Sequence, residues 1–537
     1  MVYRNFLLMY ILLFGIYIVS YNIYYTSIRL PYFDGSHHFS ELMNYALAMQ
    51  NDFFQAVYTT WHTSPELFAQ YTLIGTLSNL FCYDRSIFLV IYLMLLVWLF
   101  WKVYCYSHKN IQQGLLLYIL LITSTMLLSN KGGVLDTRID VIAIMLFGLA
   151  ILEIFNKNSI YAFFLTIIAM FLKSSMLFLA IPFLFYISYQ IIISFKDYTK
   201  SEYIKLGLSG SLLFVYLYKI LLKSIAYNLM STGGESAESS LLIYFSKLYQ
   251  YISQDFYFYR NFLIQSPLFV SVIVYLFIKF LLKSTSKNDK KAIVAFFIFF
   301  MWTYFLLTSN PVHERVLLIW FYPTCFFGIL IVFRLIEKNK LTNIMIVSLL
   351  IIELLYIVLQ NRYPYEWKKY YYNEATNNIK QQSSQIVEHL NKNPASTDIL
   401  LLVNFLSNHG PVSYNYDVYR VLLHENLEQK REILGWELST YSADWRIEIL
   451  KYLKDKQNVI FILQENPMGI PQENNPQKYG QSNYNELIDF TKKNTECMFQ
   501  IAAEIVLPHV GKRLVYEFKN TDNCLDKLKI KEKNEKI

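Results

Sequence analysis

The chain has 537 residues, of which 55% are hydrophobic and 16% are charged, and its mean hydropathy is +0.29. Soluble proteins carry about 25% charged residues, so this sequence lacks the charge to cover a soluble enzyme, and it is too apolar for a disordered chain. The net charge of +8 is not by itself a nucleic-acid signal, because lysine and arginine also collect in the cytoplasmic loops of membrane proteins. We therefore expect a protein of the lipid bilayer that binds no nucleic acid.

Apolar stretches follow one another from the first residues to about residue 359. A bilayer core of about 30 Å needs roughly 20 apolar residues per helix. The eleven candidate spans are residues 6–25, 86–104, 112–129, 139–155, 159–172, 175–195, 204–223, 262–283, 291–308, 315–335 and 342–359. The first span has no strongly basic leader and no small-residue cleavage site, which predicts a retained helix rather than a signal peptide.

Residues 65–82 form a twelfth apolar stretch, and the distribution of lysines decides its placement. If this stretch lies on the surface, the basic residues of the later loops share one side with Arg4, as cytoplasmic loops do. If it crosses the bilayer, the same residues fall outside. We therefore predict a surface helix within a first external loop of residues 26–85, a cytoplasmic amino terminus and an external carboxyl terminus.

After Pro364 the composition becomes polar, and no further span follows. The predicted strands are DILLLVNF (398–405), NVIFIL (458–463) and a terminal pair formed by MFQIAAEIVL and KRLVYEFK. Helical spacing at 373–391 and 441–456 lies between them. The predicted fold is a polytopic α-helical membrane protein, with residues 1–360 forming about eleven transmembrane helices and residues 361–537 an extracytoplasmic α/β or α+β domain.

The five cysteines show no metal-ligand spacing. They are Cys82, Cys105, Cys325, Cys497 and Cys524. Three of them lie in or beside apolar segments. This pattern predicts neither a zinc site nor a disulfide scaffold.

An acidic residue, Asp34, comes soon after the first span and directly before a helix signature. Ser36 is the expected N-cap of that helix. Its apolar face is Phe39, Leu42, Met43, Ala46 and Leu47. A carboxylate in this position is held at the membrane surface, although Asp34 can also be read as part of a turn with Gly35. His37 and His38 have two readings as well, either metal ligands or a general base, or side chains that bond to solvent.

A second charged group opens the fourth span with Asp136, Arg138 and Asp140. Burial of such charges at a helix start is unfavourable unless they pair with one another or meet a ligand. Asp140 also suits the positive end of the helix that it begins. The alternatives are that Asp136 takes this role, or that the group is a plain cap beside a snorkelling Arg138.

Two further cations lie at predicted external ends of spans. Lys173 stands between the fifth and sixth spans, and Arg315 follows His313 and Glu314 just before the tenth span begins its apolar run. A lysine can hold a phosphate by charge, and an arginine can bind it with two parallel hydrogen bonds. The alternatives are a snorkelling Lys173 and a salt bridge between Arg315 and Glu314.

The order of these residues along the chain resembles the GT-C class of polytopic glycosyltransferases, which contains protein O-mannosyltransferases and lipid A aminoarabinose transferases. The matching positions, within about residues 6–335, are Asp34 in FDGSHH, Pro65 at the surface helix, Arg138 and Asp140 in TRIDVIAIMLFGLAIL, Lys173 in FLKSSMLFLAIPFLF and Arg315 in HERVLLIWFYP. Many members have a second acid directly after the first, where this chain has Gly35. The dependence on a metal therefore stays open.

The resemblance implies an inverting transfer of a sugar from a polyprenyl-phosphate donor to a glycan, lipid or protein acceptor. Asp34 would then be the general base, and Arg315 and Lys173 would stabilise the leaving phosphate. Asp140 would orient Arg138 or a divalent cation (Mg or Mn). His37, His38, Asp136, His313 and Glu314 are candidates for the surrounding shell.

Three alternatives accompany this expectation. A polysaccharide polymerase or lipid-oligosaccharide ligase has a similar layout, and a lipid-linked glycan transporter needs no covalent chemistry. A sensor anchored by its spans is disfavoured, because one or two spans would suffice for an anchor. The sequence has no Asn-x-Ser/Thr glycosylation acceptor, which favours a bacterial plasma membrane.

Overall fold

A computed structural model describes the chain over most of its length. The described residues are 2–28, 33–63, 65–108, 110–128, 140–173, 176–221, 266–282, 285–308, 320–336, 340–361, 369–392, 398–403, 416–437, 446, 450, 458–465, 487–507, 511–519 and 521–529. They are mostly helical, with one five-stranded sheet near the carboxyl end. This agrees with the predicted combination of helices and a smaller α/β or α+β part.

The chain divides into two compact units. The helical unit comprises Met1–Ile23, Tyr58–Gln70 and Phe88–Pro364. The sheet unit comprises Tyr24–Val57, Tyr71–Ile87 and Tyr365–Ile537. Segments of the predicted first external loop therefore belong to the same unit as the carboxyl-terminal residues.

The described residues between 2 and 361 are mostly helical, and they supply the helical unit and part of the sheet unit. The first part of the chain forms α1 (Val2–Ile28), α2 (Phe33–Asn51), α3 (Phe53–Thr63), α4 (Pro65–Leu80), α5 (Ser86–Tyr106) and α6 (Ile111–Ile122). It continues with α7 (Asp140–Phe155), α8 (Ser159–Leu172), α9 (Met176–Ser194), α10 (Lys200–Val215), α11 (Pro267–Leu281), α12 (Lys287–Thr308), α13 (Tyr322–Leu335) and α14 (Lys340–Asn361).

Two of the described helical stretches, Ser86–Tyr106 and Met176–Asp197, are long and apolar enough to cross a bilayer, and six other apolar helices are shorter, at 10–17 residues. The length and composition of these helices indicate association with a membrane. They do not confirm eleven spans, which stay a prediction.

Two of the helix boundaries that differ from the prediction bear on the candidate site residues. The third predicted span was expected to run to residue 129, but α6 ends at Ile122 and the chain leaves the helix at Thr123. The following Ser124 and Thr125 are buried outside regular structure. The second difference is at α2, which begins at Phe33, so Ser36 lies inside the helix and is not its N-cap.

Close helix packing in this unit depends on small residues, as is common where helices meet in apolar surroundings. A Cβ atom on Gly328 of α13 would lie 2.5 Å from Cγ1 of Val272 and 2.8 Å from Cε2 of Phe296. Glycine therefore allows α13 to approach α11 and α12. The hydroxyl of Tyr322, at the start of α13, donates to the carbonyl of Leu121 at 2.9 Å.

The carboxyl ends of several helices carry ion pairs. Lys102 of α5 lies 2.8 Å from Glu153 of α7, and Arg334 of α13 lies 3.2 Å from Asp289 of α12. Lys102 and Arg334 are among the basic residues whose distribution along the sequence predicts a cytoplasmic location. The pairs show that α5 and α7 end together, and that α13 ends where α12 begins.

The sheet unit contains strands β1 (Ile399–Val403), β2 (Ile433–Glu437), β3 (Asn458–Glu465), β4 (Met498–Leu507) and β5 (Gly511–Phe518). Their order is β2-β1-β3-β5-β4, with β1 parallel to both of its neighbours and the other pairs antiparallel. Helices α15 (Lys369–Lys392), α16 (Tyr416–Asn426) and α17 (Asp522–Lys529) accompany the sheet.

Most of the predicted elements of this unit are confirmed. The two buried strands, the terminal strand pair and the helix at 373–391 all form. The predicted helix at 441–456 lies outside the described residues except for residues 446 and 450, which are helical. Strand β2 was not predicted.

A disulfide joins Cys497 and Cys524, 27 residues apart. The prediction that the cysteines form no disulfide was therefore wrong. The reason is topological, because β4 runs away from Cys497 and β5 returns beside it, with Met498 opposite Phe518. Proximity comes from the strand pairing, which the spacing of the cysteines does not reveal.

Helix α2 is part of the sheet unit and packs against β2 and α16 through polar contacts. Asn44 exchanges two hydrogen bonds with Ile433 of the edge strand β2, at 3.0 Å and 2.9 Å. Glu41 accepts from Arg420 of α16 at 2.6 Å. Asn79, from the second half of α4, donates to the carbonyl of Ala46 at 2.8 Å, so α4 lies along α2 in this unit.

Helix α16 also holds a buried histidine. His424 is 1% exposed, and its own carbonyl accepts a hydrogen bond from Lys430 at 2.7 Å. Burial lowers the pKa of His424 well below its ordinary value, and the positive charges of Arg420 and Lys430 lower it further. The imidazole is therefore neutral in the folded protein.

We expect stability to fall as the pH falls below about 6.5, the ordinary pKa of histidine. Below that pH the unfolded chain takes up a proton at His424 and the folded chain does not. The free energy of unfolding therefore falls by up to about 1.4 kcal/mol per pH unit. The measurement is the thermal unfolding midpoint of the full chain in detergent between pH 7.5 and 5. The curve for His424→Gln should be flatter than that of the wild type. The exposed His62 supplies the control, since His62→Gln should follow the wild type, and equal slopes for both variants would contradict the assignment.

Candidate functional site

The structure brings together two of the predicted site residues, Asp140 and Lys173. Asp140 is the first residue of α7, and Lys173 follows the last residue of α8. The lysine Nζ lies 3.0 Å from Oδ1 of Asp140. The sequence analysis assigned these residues separate roles, and the structure shows an ion pair.

A tight turn between α7 and α8 accounts for this meeting. The two helices are antiparallel neighbours of 16 and 14 residues, so the start of one lies beside the end of the other. Lys157 in the turn has a left-handed φ of 58°, and the backbone N–H of Asn158 donates to the carbonyl of Glu153 at 2.9 Å. The turn thus returns the chain with the two helices nearly in register.

The ion pair is asymmetric in exposure. The side chain of Asp140 is 7% exposed and that of Lys173 is 33% exposed. Asp140 lies at the amino end of α7, where backbone N–H groups lack helical partners and favour a carboxylate. Because an ammonium group has three donors, Lys173 can contact Asp140 and still offer N–H groups to an anion at the open end of the hairpin. The alternative is a purely structural pair that closes the hairpin.

The other predicted residues are not tested by this geometry. Asp34, His37 and His38 lie in the first two turns of α2, and their side chains fall outside the described part of the structure. A further group lies wholly outside the described residues: Asp136, Arg138, His313, Glu314 and Arg315.

A buried carboxylate that the sequence analysis missed lies in α14. Glu353 is 0% exposed, and one of its oxygens accepts from Thr125, from the backbone N–H at 2.8 Å and from the hydroxyl at 2.6 Å. The same oxygen accepts from the hydroxyl of Ser266 at 2.9 Å, and the other accepts from the N–H of Leu268 at 2.9 Å. Glu353 therefore joins α14 to the end of α6 and to the start of α11.

This arrangement satisfies the carboxylate as an anion. A buried charge is unfavourable unless hydrogen bonds compensate it, and here four donors do so at the positive end of α11. The sequence did carry a signal, because Glu353 interrupts the apolar run VSLLIIELLYIV and an acid within such a run suggests a role. The residues predicted for the site all lie near the ends of spans, whereas Glu353 lies within one.

The described side chains include no group of three or more histidine, cysteine, aspartate or glutamate residues that could hold a metal ion. Asp140, the acidic member of the predicted site whose side chain the structure describes, pairs with the Lys173 ammonium.

We expect Glu353→Ala to destabilise the helical unit strongly. The substitution leaves the buried N–H groups of Thr125 and Leu268 without their acceptor, and each unsatisfied group lowers the free energy of unfolding by about 1–3 kcal/mol. Glu353→Gln keeps one acceptor oxygen and should be milder. Thermal unfolding of the detergent-solubilised protein measures both effects, with the exposed Asp197 giving the control Asp197→Ala, which should cause a smaller loss. A Glu353→Ala variant as stable as the wild type would contradict this role.

Comparison with known proteins gave no match, whether to a family model, to a curated protein or to a solved structure. A function for this chain must therefore be proposed from its own residues.

Proposed function

We propose that this chain is a membrane glycosyltransferase of GT-C-like arrangement with eleven spans. It transfers a sugar from a polyprenyl-phosphate donor to a glycan, lipid or protein acceptor at the outer face of a bacterial plasma membrane. The observation that supports this most is the contact between Asp140 and Lys173 at one end of the α7 and α8 hairpin. The opposite end of α7 carries the pair of Glu153 with Lys102, a lysine assigned to the cytoplasmic side.

In the proposed reaction, an acceptor oxygen or nitrogen attacks the anomeric carbon and gives its proton to Asp34. The bond from that carbon to the phosphate oxygen breaks, and the leaving polyprenyl phosphate takes the electron pair. Lys173 and Arg315 stabilise the charge that develops on the phosphate. Asp140 holds the Lys173 ammonium in place, and the prenyl chain stays in the bilayer throughout.

A divalent cation does not fit at Asp140. Its carboxylate is in contact with the Lys173 ammonium at 3.0 Å, and a metal ion there would meet a like charge. Lysine takes the place that a cation would have beside this carboxylate. The proposed reaction therefore has no metal-dependent step at this position.

The sheet unit contains both first-loop and carboxyl-terminal segments, and this supports the proposed topology. Glu41, from the first predicted loop, bonds with Arg420 of the carboxyl-terminal region, and this contact supports a location of both segments on the same side of the membrane. Ten spans between them satisfy this condition, whereas a crossing at 65–82 would make the number odd. The disulfide of Cys497 with Cys524 supports an oxidising, extracytoplasmic location for this unit.

A transporter is the second candidate, because one observation favours it. The broken end of α6 beside the buried Glu353 resembles the discontinuous helices that form transport sites. However, Glu353 is surrounded by donors from the protein itself, at Thr125, Ser266 and Leu268. That environment supports a structural carboxylate more than a substrate site. A polymerase or ligase shares the proposed chemistry and differs in the acceptor.

Complementation of a deletion strain tests the proposal. We expect Asp34→Asn to keep the shape of the residue but lose the base, lowering transfer by about 10²–10⁴-fold. Lys173→Gln should also impair transfer. The readout is accumulation of lipid-linked sugar in membranes of strains that carry each variant. Lys157→Gln, at the other end of the same hairpin, is the matched control and should complement fully. Full complementation by both Asp34→Asn and Lys173→Gln would contradict the proposed mechanism.

The topology is tested separately with single cysteines in a protein that lacks its free cysteines. Gln112 and Lys392 are exposed, and the sequence places them on opposite sides of the membrane. An impermeant thiol reagent on intact cells should label Lys392→Cys and leave Gln112→Cys unlabelled until the membrane is opened. Labelling of both from outside would contradict the topology and the location of the site.

A further inference from the structure

We infer that the carboxyl-terminal sheet positions α2, the helix that carries Asp34, and that Glu41 and Asn44 are positioning residues for the transfer reaction. The inference rests on the proposed function for its catalytic part. Its structural part concerns residues of the sheet unit alone. It assigns a role to the carboxyl-terminal residues, which the proposed chemistry does not itself require.

The first contact is made by Asn44 with the outer edge of the sheet. Strand β2 is an edge strand, and such strands present N–H and C=O groups without a neighbouring strand. The amide of Asn44 donates to the carbonyl of Ile433 at 3.0 Å and accepts from its N–H at 2.9 Å. One side chain thus reproduces the paired bonds that a neighbouring strand would make.

The second contact is made by Glu41, one turn earlier on α2. It accepts from Arg420 at 2.6 Å, and Arg420 is only 1% exposed. The Nε of Arg420 also donates to the carbonyl of Ile433 at 2.9 Å. Asn44, Arg420 and Ile433 therefore meet at one point, which fixes α2 in position and in rotation about its axis.

The helix itself transmits this position to Asp34. Helix α2 is unbroken from Phe33 to Asn51, and at 1.5 Å per residue Asp34 lies about 15 Å along the axis from Asn44. The buried Leu42 and Met43 hold the middle of the helix by apolar packing. A change at Glu41 or Asn44 therefore moves the first turn of α2 without touching it.

A second ion pair in the same unit provides the matched control. Arg85 donates to Glu425 of α16, at 2.5 Å through Nε and 3.0 Å through Nη2. This pair also joins the first-loop segment to α16, but through Arg85, which precedes α5 and is not part of α2. Glu41→Gln and Glu425→Gln are thus the same chemical change, and only the first loosens α2.

The experiment measures two quantities on the purified full chain in detergent. Amide hydrogen exchange is followed in peptides that cover residues 33–44. Transfer is followed with the lipid-linked sugar pool extracted from the deletion strain and membranes of that strain as acceptor. We expect Glu41→Gln to raise exchange in α2 and to lower kcat by about 10- to 100-fold, with the KM for the donor unchanged. Glu425→Gln should change neither quantity.

Each outcome bears on the inference. Unchanged exchange in α2, or equal effects from both Glu→Gln variants, would overturn it, as would raised exchange with an unchanged kcat. If Glu41→Gln does not fold, Asn44→Asp replaces it, because its carboxylate still accepts from Ile433 N–H but repels the carbonyl. If Asp34→Asn keeps full activity, the proposed function fails, and the exchange data still decide whether the sheet holds α2.

Discussion

Backbone N–H and C=O groups removed from water must find partners inside the protein, and this constraint organises both units. In the helical unit, α6 stops at Ile122 and leaves buried residues outside regular structure. Glu353 supplies the missing acceptor to Thr125, and it serves the start of α11 as well through Leu268. One carboxylate therefore serves the first turn of α11 and the irregular residues that follow α6, and the packing of α14 depends on it.

The sheet unit solves the same problem in a different way. Among the described strands, the edge strand β2 pairs on one side only, and the side chain of Asn44 makes on its other side the hydrogen bonds that a strand would make. Arg420 strengthens this junction because it bonds with both Ile433 and Glu41. The residues that complete the sheet thus come from the first loop, and the unit cannot be described from the carboxyl-terminal region alone.

The sequence predicts helices and strands that depend on local residue patterns. It does not predict elements and contacts that depend on residues far apart in the chain. Strands β3 and β5 are visible as apolar runs, whereas β2 is a short stretch, ILGWE, whose outer edge is completed by Asn44. The pairing of Asp140 with Lys173 requires the turn at Lys157 to return the chain in register, and the pairing of Cys497 with Cys524 requires a hairpin. Glu353 is visible as an acid in an apolar run, but its partners come from two other places in the chain.

The junction of Asn44 with Ile433 also sets an order for folding. These residues are 389 positions apart, so α2 leaves the ribosome long before its partner strand exists. Chain synthesis runs at about 5–20 residues per second, which leaves α2 without the sheet for roughly 20–80 s. During this interval its polar face must be kept from other partners, and the unit closes only after almost the whole chain has been made. A defect in the last quarter of the sequence would therefore trap the first loop in an unfinished state.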